Sequence, residues 1–203
     1  MAFSVENLVS AFKAFTEEIG ENREYLTDLD AKIGDGDHGS NMARGTKAAL
    51  EKLEAAVPKT YAEFGKTVGM GLVSSVGGAS GPLYGTFFLR FGAAGGDAEE
   101  LDLAGFAKAF RAGVEGVVAR GKAQAGDKTM LDALFPAADA LDAGSDLDSA
   151  LKKAQEAAEA GRDATEPMVA HKGRASYLGE RSAGTIDPGS ASATMLVSAL
   201  ASA

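Results

Sequence analysis

Residues 5–19, VENLVSAFKAFTEEI, decide the fold class of this chain. Apolar residues recur there at spacings of three and four, which places them on one face of an amphipathic helix. They are Val5, Leu8, Val9, Phe12, Phe15 and Ile19. The same period recurs along almost the whole chain, and no run of alternating β-branched and aromatic residues predicts a strand. The sequence therefore predicts an all-α protein.

The apolar pattern predicts nine helices, which are joined mostly by short loops. The predicted ranges are 5–19, 22–29, 39–53, 61–76, 81–94, 103–120, 130–141, 146–165 and 187–203. Short loops make sequential helices pack antiparallel. No change of composition divides the chain, so we expect residues 1–203 to form a single domain. Long glycine-rich connections, such as 30–38 and 166–190, are often functional in compact domains.

The composition argues against several classes of protein. The 203 residues carry a formal net charge of -9, which disfavours non-specific binding to nucleic acid or to an anionic membrane, because both are polyanions. There is no cysteine, so disulfides and thiolate metal sites are excluded. We see no secretory signal and no apolar run of about 18 residues that would predict a membrane span. We expect a soluble cytoplasmic protein.

The strongest functional signal is LDAKIGDGDHGSNM, residues 29–42. Asp30, Asp35 and Asp37 would repel one another if they faced one point, by about 4 kcal/mol per pair at roughly 4 Å and an effective dielectric of 20. A cation would turn this repulsion into attraction, and carboxylate oxygens suit Mg²⁺. A hard-metal site is therefore the sharper interpretation, and a simple polar turn is the alternative that the local pattern leaves open.

Three predicted helix starts indicate an anion site. A predicted helix begins directly after the aspartates, and a helix N-terminus offers free backbone N–H groups and a positive dipole end. The segments GGASGP (77–82) and IDPGSAS (186–192) precede two other predicted helices. Each is on its own more often a cap than a ligand site. Together with the acidic loop, they favour a site for metal-bound phosphate.

Two further side chains are candidates for this site. His38 leaves four roles open: a phosphate contact, a general base, a phosphoryl carrier or a polar residue at a helix start. Arg174 lies in the long glycine-containing loop 166–190, where its guanidinium suits anion binding.

Four separated segments together resemble the nucleotide-binding L subunit of bacterial, phosphotransferase-dependent dihydroxyacetone kinases. They are IGDGDHGSNM (33–42), GGASGPLYGTFF (77–88), GDKTMLDAL (126–134) and GRASYLGERSAGTIDPGS (173–190). The resemblance runs through nearly the whole chain in the right order. It implies an eight-helix antiparallel up-and-down barrel with the nucleotide site at one end.

The resemblance also implies ligands and the residues that hold them. ADP or ATP binds with two Mg²⁺, and Asp30, Asp35 and Asp37 are the implied metal ligands. The implied nucleotide contacts are His38, Gly39, Ser40, Asn41, Ala79, Ser80, Gly121, Met130, Arg174, Asp187, Pro188 and Gly189. No side chain is implied as a covalent nucleophile, and the three aspartates with His38 support phosphoryl transfer.

The implied function is one step of a kinase with several subunits. A phosphohistidine on an M subunit phosphorylates the bound ADP to ATP in place. The phosphoryl group then passes to dihydroxyacetone, which a histidine of a K subunit holds, and the product is dihydroxyacetone phosphate. The main alternative is an L-type subunit of an ATP-dependent kinase for dihydroxyacetone or another small sugar. A non-catalytic nucleotide or Mg²⁺ sensor is a third hypothesis, and a homodimer is also open.

Overall fold

The helical pattern of the sequence is present in the computed structural model, which describes residues 2–203. Within these residues the chain forms nine α-helices. They are α1 (Val5–Glu21), α2 (Arg23–Ile33), α3 (His38–Ala56), α4 (Tyr61–Ser75), α5 (Ser80–Gly95), α6 (Leu103–Gly121), α7 (Leu131–Asp142), α8 (Leu147–Ala164) and α9 (Pro188–Ala201). The all-α prediction is confirmed, and most predicted helix ends lie within a few residues of the observed ones.

Eight of these helices form a closed ring. α1 packs on α3, each helix from α3 to α8 packs on the next, and α9 packs on both α8 and α1. Since sequential neighbours run antiparallel, the N-termini of α3, α5, α7 and α9 lie at one end of the ring. This is the predicted eight-helix barrel. The remaining helix, α2, connects α1 to α3 at that end and contacts α3 and α9.

Aspartates fix the starts of several helices. Asp102, Asp146 and Asp187 precede α6, α8 and α9, and each side chain accepts a hydrogen bond from the backbone N–H three residues further on. This is the preferred N-cap arrangement, because it satisfies one of the free N–H groups of the first turn. Pro188 then opens α9, where its fixed φ suits a first helical position.

Two elements of the structure depart from the predictions. Phe3–Ser4 (β1) pairs antiparallel with Glu100–Leu101 (β2), whereas no strand was predicted. Strands of two residues are too short to show an alternating pattern. The predicted loop 166–190 contains a 3-10 helical segment, Arg174–Ser182, which is interrupted at Gly179. Its turns are too short to show the 3.6-residue period on which the helix predictions rest.

Aromatic side chains fill the centre of the barrel. α5 contributes Phe87 and Phe88, whose rings meet the rings of neighbouring helices edge to face. The ring centroids of Phe12 and Phe88 are 5.6 Å apart, and those of Phe87 and Phe110 are 5.3 Å apart. Burial of each such side chain stabilises the fold by about 1.5–3 kcal/mol. The core thereby fixes the helices whose N-termini meet at one end of the barrel.

Glycines bring α4 and α5 into backbone contact. A Cβ on Gly65 would overlap the carbonyl oxygen of Phe88 and would lie 2.6 Å from the Cα of Gly92. We expect Gly65→Ala to lower the free energy of unfolding by about 1–3 kcal/mol, because backbone atoms have to move apart. Chemical denaturation measures this change.

Gly20 provides the matched control for this prediction. It also lies in a helix, but no atom is within 4 Å of the position that a new methyl group would take, so Gly20→Ala should be neutral or stabilising by up to about 1 kcal/mol. Equal stability of the Gly65→Ala variant and the wild type would show that α4 and α5 are not in backbone contact.

α9 is buried on nearly all sides because it packs against α1, α2, α7 and α8. Between residues 2 and 203, neither α9 nor any other helix combines the length and the apolar character that a bilayer crossing requires.

Candidate functional site

The N-termini of four helices surround one cavity, which we call the main cavity. His38 begins α3, Ser80 begins α5, Met130 precedes α7 and Pro188 begins α9, and all four residues line it. Its volume is about 200 Å³. Each helix start presents N–H groups and the positive end of the helix dipole, so the main cavity favours an anion.

Three carboxylates converge at the edge of the main cavity, and we call them the acidic cluster. Asp30, Asp35 and Asp37 each place one carboxylate oxygen within 4.8 Å of the others. At that separation each pair repels by about 3 kcal/mol at an effective dielectric of 20, before screening by water. Three oxygen ligands that leave positions for phosphate and water fit Mg²⁺ in its octahedral coordination. The donor chemistry of the acidic cluster thus suits the predicted metal.

Asp30 is the fixed member of the acidic cluster. It lies in the last turn of α2, and its Oδ2 accepts hydrogen bonds from the backbone N–H groups of Asp37 (2.8 Å) and His38 (3.1 Å). Its Oδ1 lies over Gly34, at a place that a Cβ on this residue would overlap. A larger residue at position 34 would therefore displace Asp30 Oδ1. Asp30 is buried, whereas Asp35 and Asp37 are exposed.

An arginine from a distant segment reaches the acidic cluster. Nη2 of Arg174 lies 3.0 Å from Oδ2 of Asp35. Both side chains are accessible to solvent, so this ion pair contributes little to stability. Its significance is positional, because it brings the 3-10 segment Arg174–Ser182 to the main cavity.

A chain of hydroxyl groups fixes the ring of His38. Nδ1 lies 3.1 Å from Ser80 Oγ, and Nε2 lies 2.9 Å from Ser192 Oγ. Ser192 Oγ also lies 2.7 Å from the hydroxyl of Tyr84 and 3.1 Å from the carbonyl oxygen of Gly189. Hydroxyl groups can donate or accept, so this chain of partners satisfies either tautomer of the neutral imidazole.

This environment narrows the roles that His38 can have. Burial lowers the pKa of His38, against the raising influence of Asp30 and Asp37, so the neutral ring is favoured. Both ring nitrogens are engaged by hydroxyl groups. The arrangement favours a positioned polar contact over a phosphoryl carrier, which would need a free nitrogen.

Asp187 forms the inner wall of the main cavity. Its carboxylate accepts a hydrogen bond from the N–H of Ser190 at 2.6 Å, and its own N–H donates to Thr165 Oγ1 at 3.0 Å. Burial raises the pKa of Asp187 to about 7. Asp187 therefore adds less negative charge to the main cavity than a solvent-exposed carboxylate would.

The structure brings most of the predicted site residues to the main cavity. Its lining includes Asp30, Asp35, Asp37, His38, Asn41, Ala79, Ser80, Met130, Arg174, Asp187, Pro188 and Gly189. Gly121 lines an adjoining cavity of about 380 Å³, which we call the apolar cavity and which shares Ala79 and Met130 with the main cavity.

Gly39 and Ser40 lie in the first turn of α3, outside this lining. Gly39 packs against the backbone of α2, and Ser40 Oγ accepts a hydrogen bond from Arg23 Nε at 3.3 Å. The first helical hydrogen bond of α3 runs from the N–H of Asn41 to Asp37. The N–H groups of residues 39 and 40 therefore precede the helical ladder and suit an anion, although their side chains face away.

Several lining residues were not singled out from the sequence. Leu83, Tyr84, Lys128, Thr129 and Lys172 also border the main cavity. Apolar residues in the first turn of a helix follow the same period whether they face the core or a cavity. Leu83 and Tyr84 do lie in GGASGPLYGTFF, and Lys128 and Thr129 lie in GDKTMLDAL, two of the segments that carry the resemblance, whereas Lys172 lies in none of them.

The fold and this site define an all-α barrel whose carboxylate cluster and helix N-termini suit a metal-bound phosphate ligand. A family model described as the DAK2 domain matches residues 32–202, and the chain belongs to this family.

Two relatives match this chain along nearly their whole length. The chain is 44% identical to the PEP-dependent dihydroxyacetone kinase, ADP-binding subunit DhaL, of Escherichia coli K12, over 99% of this chain and 98% of that protein. It is 46% identical to the PEP-dependent dihydroxyacetone kinase 1, ADP-binding subunit DhaL, of Listeria innocua, over 92% of this chain and 90% of that protein.

A solved structure shares the fold. The dihydroxyacetone kinase of C. freundii, in complex with AMP-PNP and Mg²⁺, superimposes with a TM-score of 0.74 at 29% identity. The match covers 96% of this chain and 33% of the C. freundii chain, so this chain spans about a third of that kinase.

Proposed function

We propose that this chain is the ADP-binding subunit of a dihydroxyacetone kinase and holds ADP with two Mg²⁺ in the main cavity. The observation that carries the proposal is the convergence of three carboxylates, within 4.8 Å of one another, with the N-termini of four helices. The proposal is supported by the E. coli and Listeria relatives, which are named ADP-binding subunits. It is also supported by the nucleotide analogue and Mg²⁺ in the C. freundii kinase complex.

Charge balance agrees with this set of ligands. Two Mg²⁺ carry +4, the acidic cluster carries -3, and the diphosphate of ADP carries roughly another -3, which leaves a local charge near -2. The helix N-termini around the main cavity and the guanidinium of Arg174 offset that remainder. We therefore assign Asp30, Asp35 and Asp37 to the metals and the first turns of α3, α5 and α9 to the phosphates.

The chain's own residues would position the ligand and neutralise its charge. When bound, ADP and Mg²⁺ supply a carrier for the phosphoryl group and a counter-charge to its oxygens. The acidic cluster holds the metals, Arg174 faces the anionic end, and the neutral His38 ring with its Ser80 and Ser192 partners keeps the first turn of α3 in place. We propose a phosphohistidine-carrying M subunit as the donor and a dihydroxyacetone-binding K subunit as the acceptor.

The apolar cavity would receive the nucleobase. Leu83, Val117 and Met130 line it, and the thioether of Met130 adapts to a flat ring. A Cβ on Gly121 would lie 3.2 Å from Leu83 Cδ2, so a larger side chain there projects into this space. We expect Gly121→Leu to weaken ADP binding by about 10-fold or more, or roughly 1.4 kcal/mol, in isothermal titration calorimetry.

Inorganic pyrophosphate is the control ligand for the Gly121→Leu variant, since it has phosphates but no base. In the presence of Mg²⁺, Gly121→Leu and the wild type should bind pyrophosphate with equal affinity. An equal loss for pyrophosphate and ADP would contradict the assignment of the apolar cavity to the base.

The test of the proposed function begins with protein purified without added nucleotide. After denaturation, the released nucleotide and magnesium are quantified. Near-stoichiometric ADP with about two magnesium ions is the expected result. A protein that binds neither ADP nor ATP would refute the proposal.

One other outcome would favour the second candidate, an L-type subunit of an ATP-dependent kinase for dihydroxyacetone or another small sugar. That outcome is a nucleotide-free protein that binds ATP reversibly. The second candidate is favoured by the C. freundii kinase, in which the matching segment is part of a longer chain. Under either candidate we propose that residues 1–203 act as one nucleotide-binding domain in the cytoplasm.

A further inference from the structure

Lys128 is a buried lysine whose ammonium group is fully used inside the protein. The residue is 1% exposed, and its backbone has a left-handed φ of 62°. Nζ donates to the carbonyl oxygens of Ser182 (2.6 Å), Met168 (3.0 Å) and Glu166 (3.4 Å). An ammonium has three protons, so these three acceptors leave none for a phosphate. Lys128 therefore lies beside the main cavity without being a phosphate ligand.

The three carbonyls belong to the two ends of one segment, residues 166–186, which we call the strap. The ends are also joined directly, since the N–H of Gly184 donates to Glu166 O at 2.7 Å and the N–H of Ala170 donates to Ser182 Oγ at 2.8 Å. The N–H of His171 donates to Asp127 O at 3.1 Å. The base of the strap thus closes around the ammonium of Lys128.

The middle of the strap reaches the proposed ligand site. Lys172, Gly173, Arg174 and Ala175 line the main cavity, and Lys172 and Gly173 also line the apolar cavity. Arg174 lies 3.0 Å from Asp35 of the acidic cluster. The strap therefore borders both the proposed phosphate region and the proposed base region.

The turn that carries Lys128 is held by two hydrogen bonds to one side chain. The carboxylate of Asp132 accepts hydrogen bonds from the N–H groups of Gly126 (2.6 Å) and Thr129 (2.8 Å). Thr129 and Met130 of the same stretch line the main cavity. One turn thus contacts the cavity through Thr129 and Met130 and holds the strap through Lys128.

We propose that Lys128 is a positioning residue of the nucleotide site, which ties the two ends of the strap to the turn before α7 and thereby holds Arg174 at the acidic cluster. The strap then slows the release of bound nucleotide. The ligand in this inference rests on the proposed function, whereas the closure of the strap is a property of the protein alone.

The variant that tests this inference is Lys128→Met, which removes the ammonium and keeps an unbranched side chain. Lys122→Met is its matched control, since Lys122 also has a left-handed φ (54°) but is exposed. Hydrogen exchange is measured on nucleotide-free protein. We expect peptides from residues 166–186 to exchange at least about 10-fold faster in Lys128→Met, while peptides from α3 to α5 keep their wild-type rates.

Two further readouts follow the strap and the ligand separately. Trypsin should cleave after Arg174 and Arg181 sooner in Lys128→Met than in the wild type. Release of a fluorescent ADP analogue in Mg²⁺ should be at least about 10-fold faster in stopped-flow measurements. Lys122→Met should match the wild type in all three experiments.

The outcomes distinguish this inference from the proposed function. Wild-type exchange of the strap in Lys128→Met would overturn the inference, and so would an opened strap with unchanged release of the ADP analogue. A wild-type protein without affinity for the analogue would refute the proposed function, while the exchange experiment would still test the strap.

A measurement on the wild type covers the case in which Lys128→Met does not fold. In protein labelled with ¹⁵N at lysine Nζ, NMR should detect an ammonium whose protons exchange slowly with water. Lys122→Met should keep this signal. Rapid exchange of every lysine ammonium would overturn the inference.

Discussion

Asp37→Asn should leave a folded protein that has lost most of its bound ADP and Mg²⁺ and about 100-fold or more of its kinase activity. Asn has nearly the shape of Asp but supplies no negative charge to a cation. Removal of a partner behind a metal ligand already lowers affinity or activity by about 10–100-fold, so loss of a ligand should exceed that. Released ADP and magnesium, together with a coupled kinase assay containing the partner subunits, measure the effect.

Asp37 is the most informative member of the acidic cluster for this experiment. Its side chain makes no capping hydrogen bond to α3, although it stands at the N-cap position. Asp30, in contrast, binds the N–H groups of residues 37 and 38 and therefore also has a structural role. Substitution of Asp37 thus removes charge without removing a hydrogen bond that holds the helix.

Asp37→Asn should not lower the stability of the metal-free protein, although it lowers ligand binding and activity. Without metal, the acidic cluster holds like charges within 4.8 Å of one another. Asp37→Asn removes two of the three repulsive pairs, so the metal-free variant should be at least as stable as metal-free wild type in thermal unfolding. A gain in stability with a loss of activity is typical of a residue retained for its function.

Asp28→Asn is the control, since Asp28 is an exposed aspartate on α2 outside the acidic cluster. It should retain wild-type ADP, magnesium and activity. Asp35→Asn should behave as Asp37→Asn does, with the ion pair to Arg174 weakened in addition. If Asp35→Asn and Asp37→Asn both keep ADP, magnesium and full activity, the metal assignment is wrong.

The fold could be predicted because its signal is local. The spacing of Val5, Leu8, Phe12 and Phe15 is enough to define a helix with one buried face, and the same reasoning applies to most of α3 to α9. The end of α2 was placed too early, at residue 29. The helix continues to Ile33 because that side chain is buried, and it ends at Gly34.

The site could be predicted only in part, because some of its contacts join distant parts of the chain. The spacing of Asp30, Asp35 and Asp37 indicated a metal cluster, and the structure brings these carboxylates together. The bond between Ser192 and His38 spans 154 residues, and that between Lys128 and Ser182 spans 54. No local period or spacing predicts such contacts, so the positioning role proposed for Lys128 could be inferred only from the structure.

Gly39, in the first turn of α3, lies where α3 packs against α2. Gly39→Ala should therefore be strongly destabilising. Its Cβ would overlap the carbonyl oxygen of Arg23 and would lie 2.9 Å from the backbone nitrogen of Thr27. These are backbone atoms of α2, so relief requires α2 to move away from α3. We expect a loss of about 3 kcal/mol in the free energy of unfolding, at the upper end of what overpacking usually costs.

The separation of α2 from α3 should also disrupt the acidic cluster, because Asp30 belongs to α2 and Asp37 precedes α3. The hydrogen bonds from the N–H groups of Asp37 and His38 to Asp30, at 2.8 and 3.1 Å, depend on the close approach of the two helices. Gly39→Ala should therefore lower Mg²⁺ and ADP affinity in the fraction that remains folded. Calorimetric titration below the unfolding temperature measures this.

Comparison with two variants separates close packing from a direct role in binding. Gly20→Ala, whose new methyl group meets no atom within 4 Å, should not lower stability and should leave ligand binding unchanged. Asp37→Asn should lose the ligands without losing stability. A Gly39→Ala variant that keeps wild-type stability and loses only ADP would contradict this prediction. Gly39 would then act by approaching the phosphate, and its packing against α2 would not control the geometry of the acidic cluster.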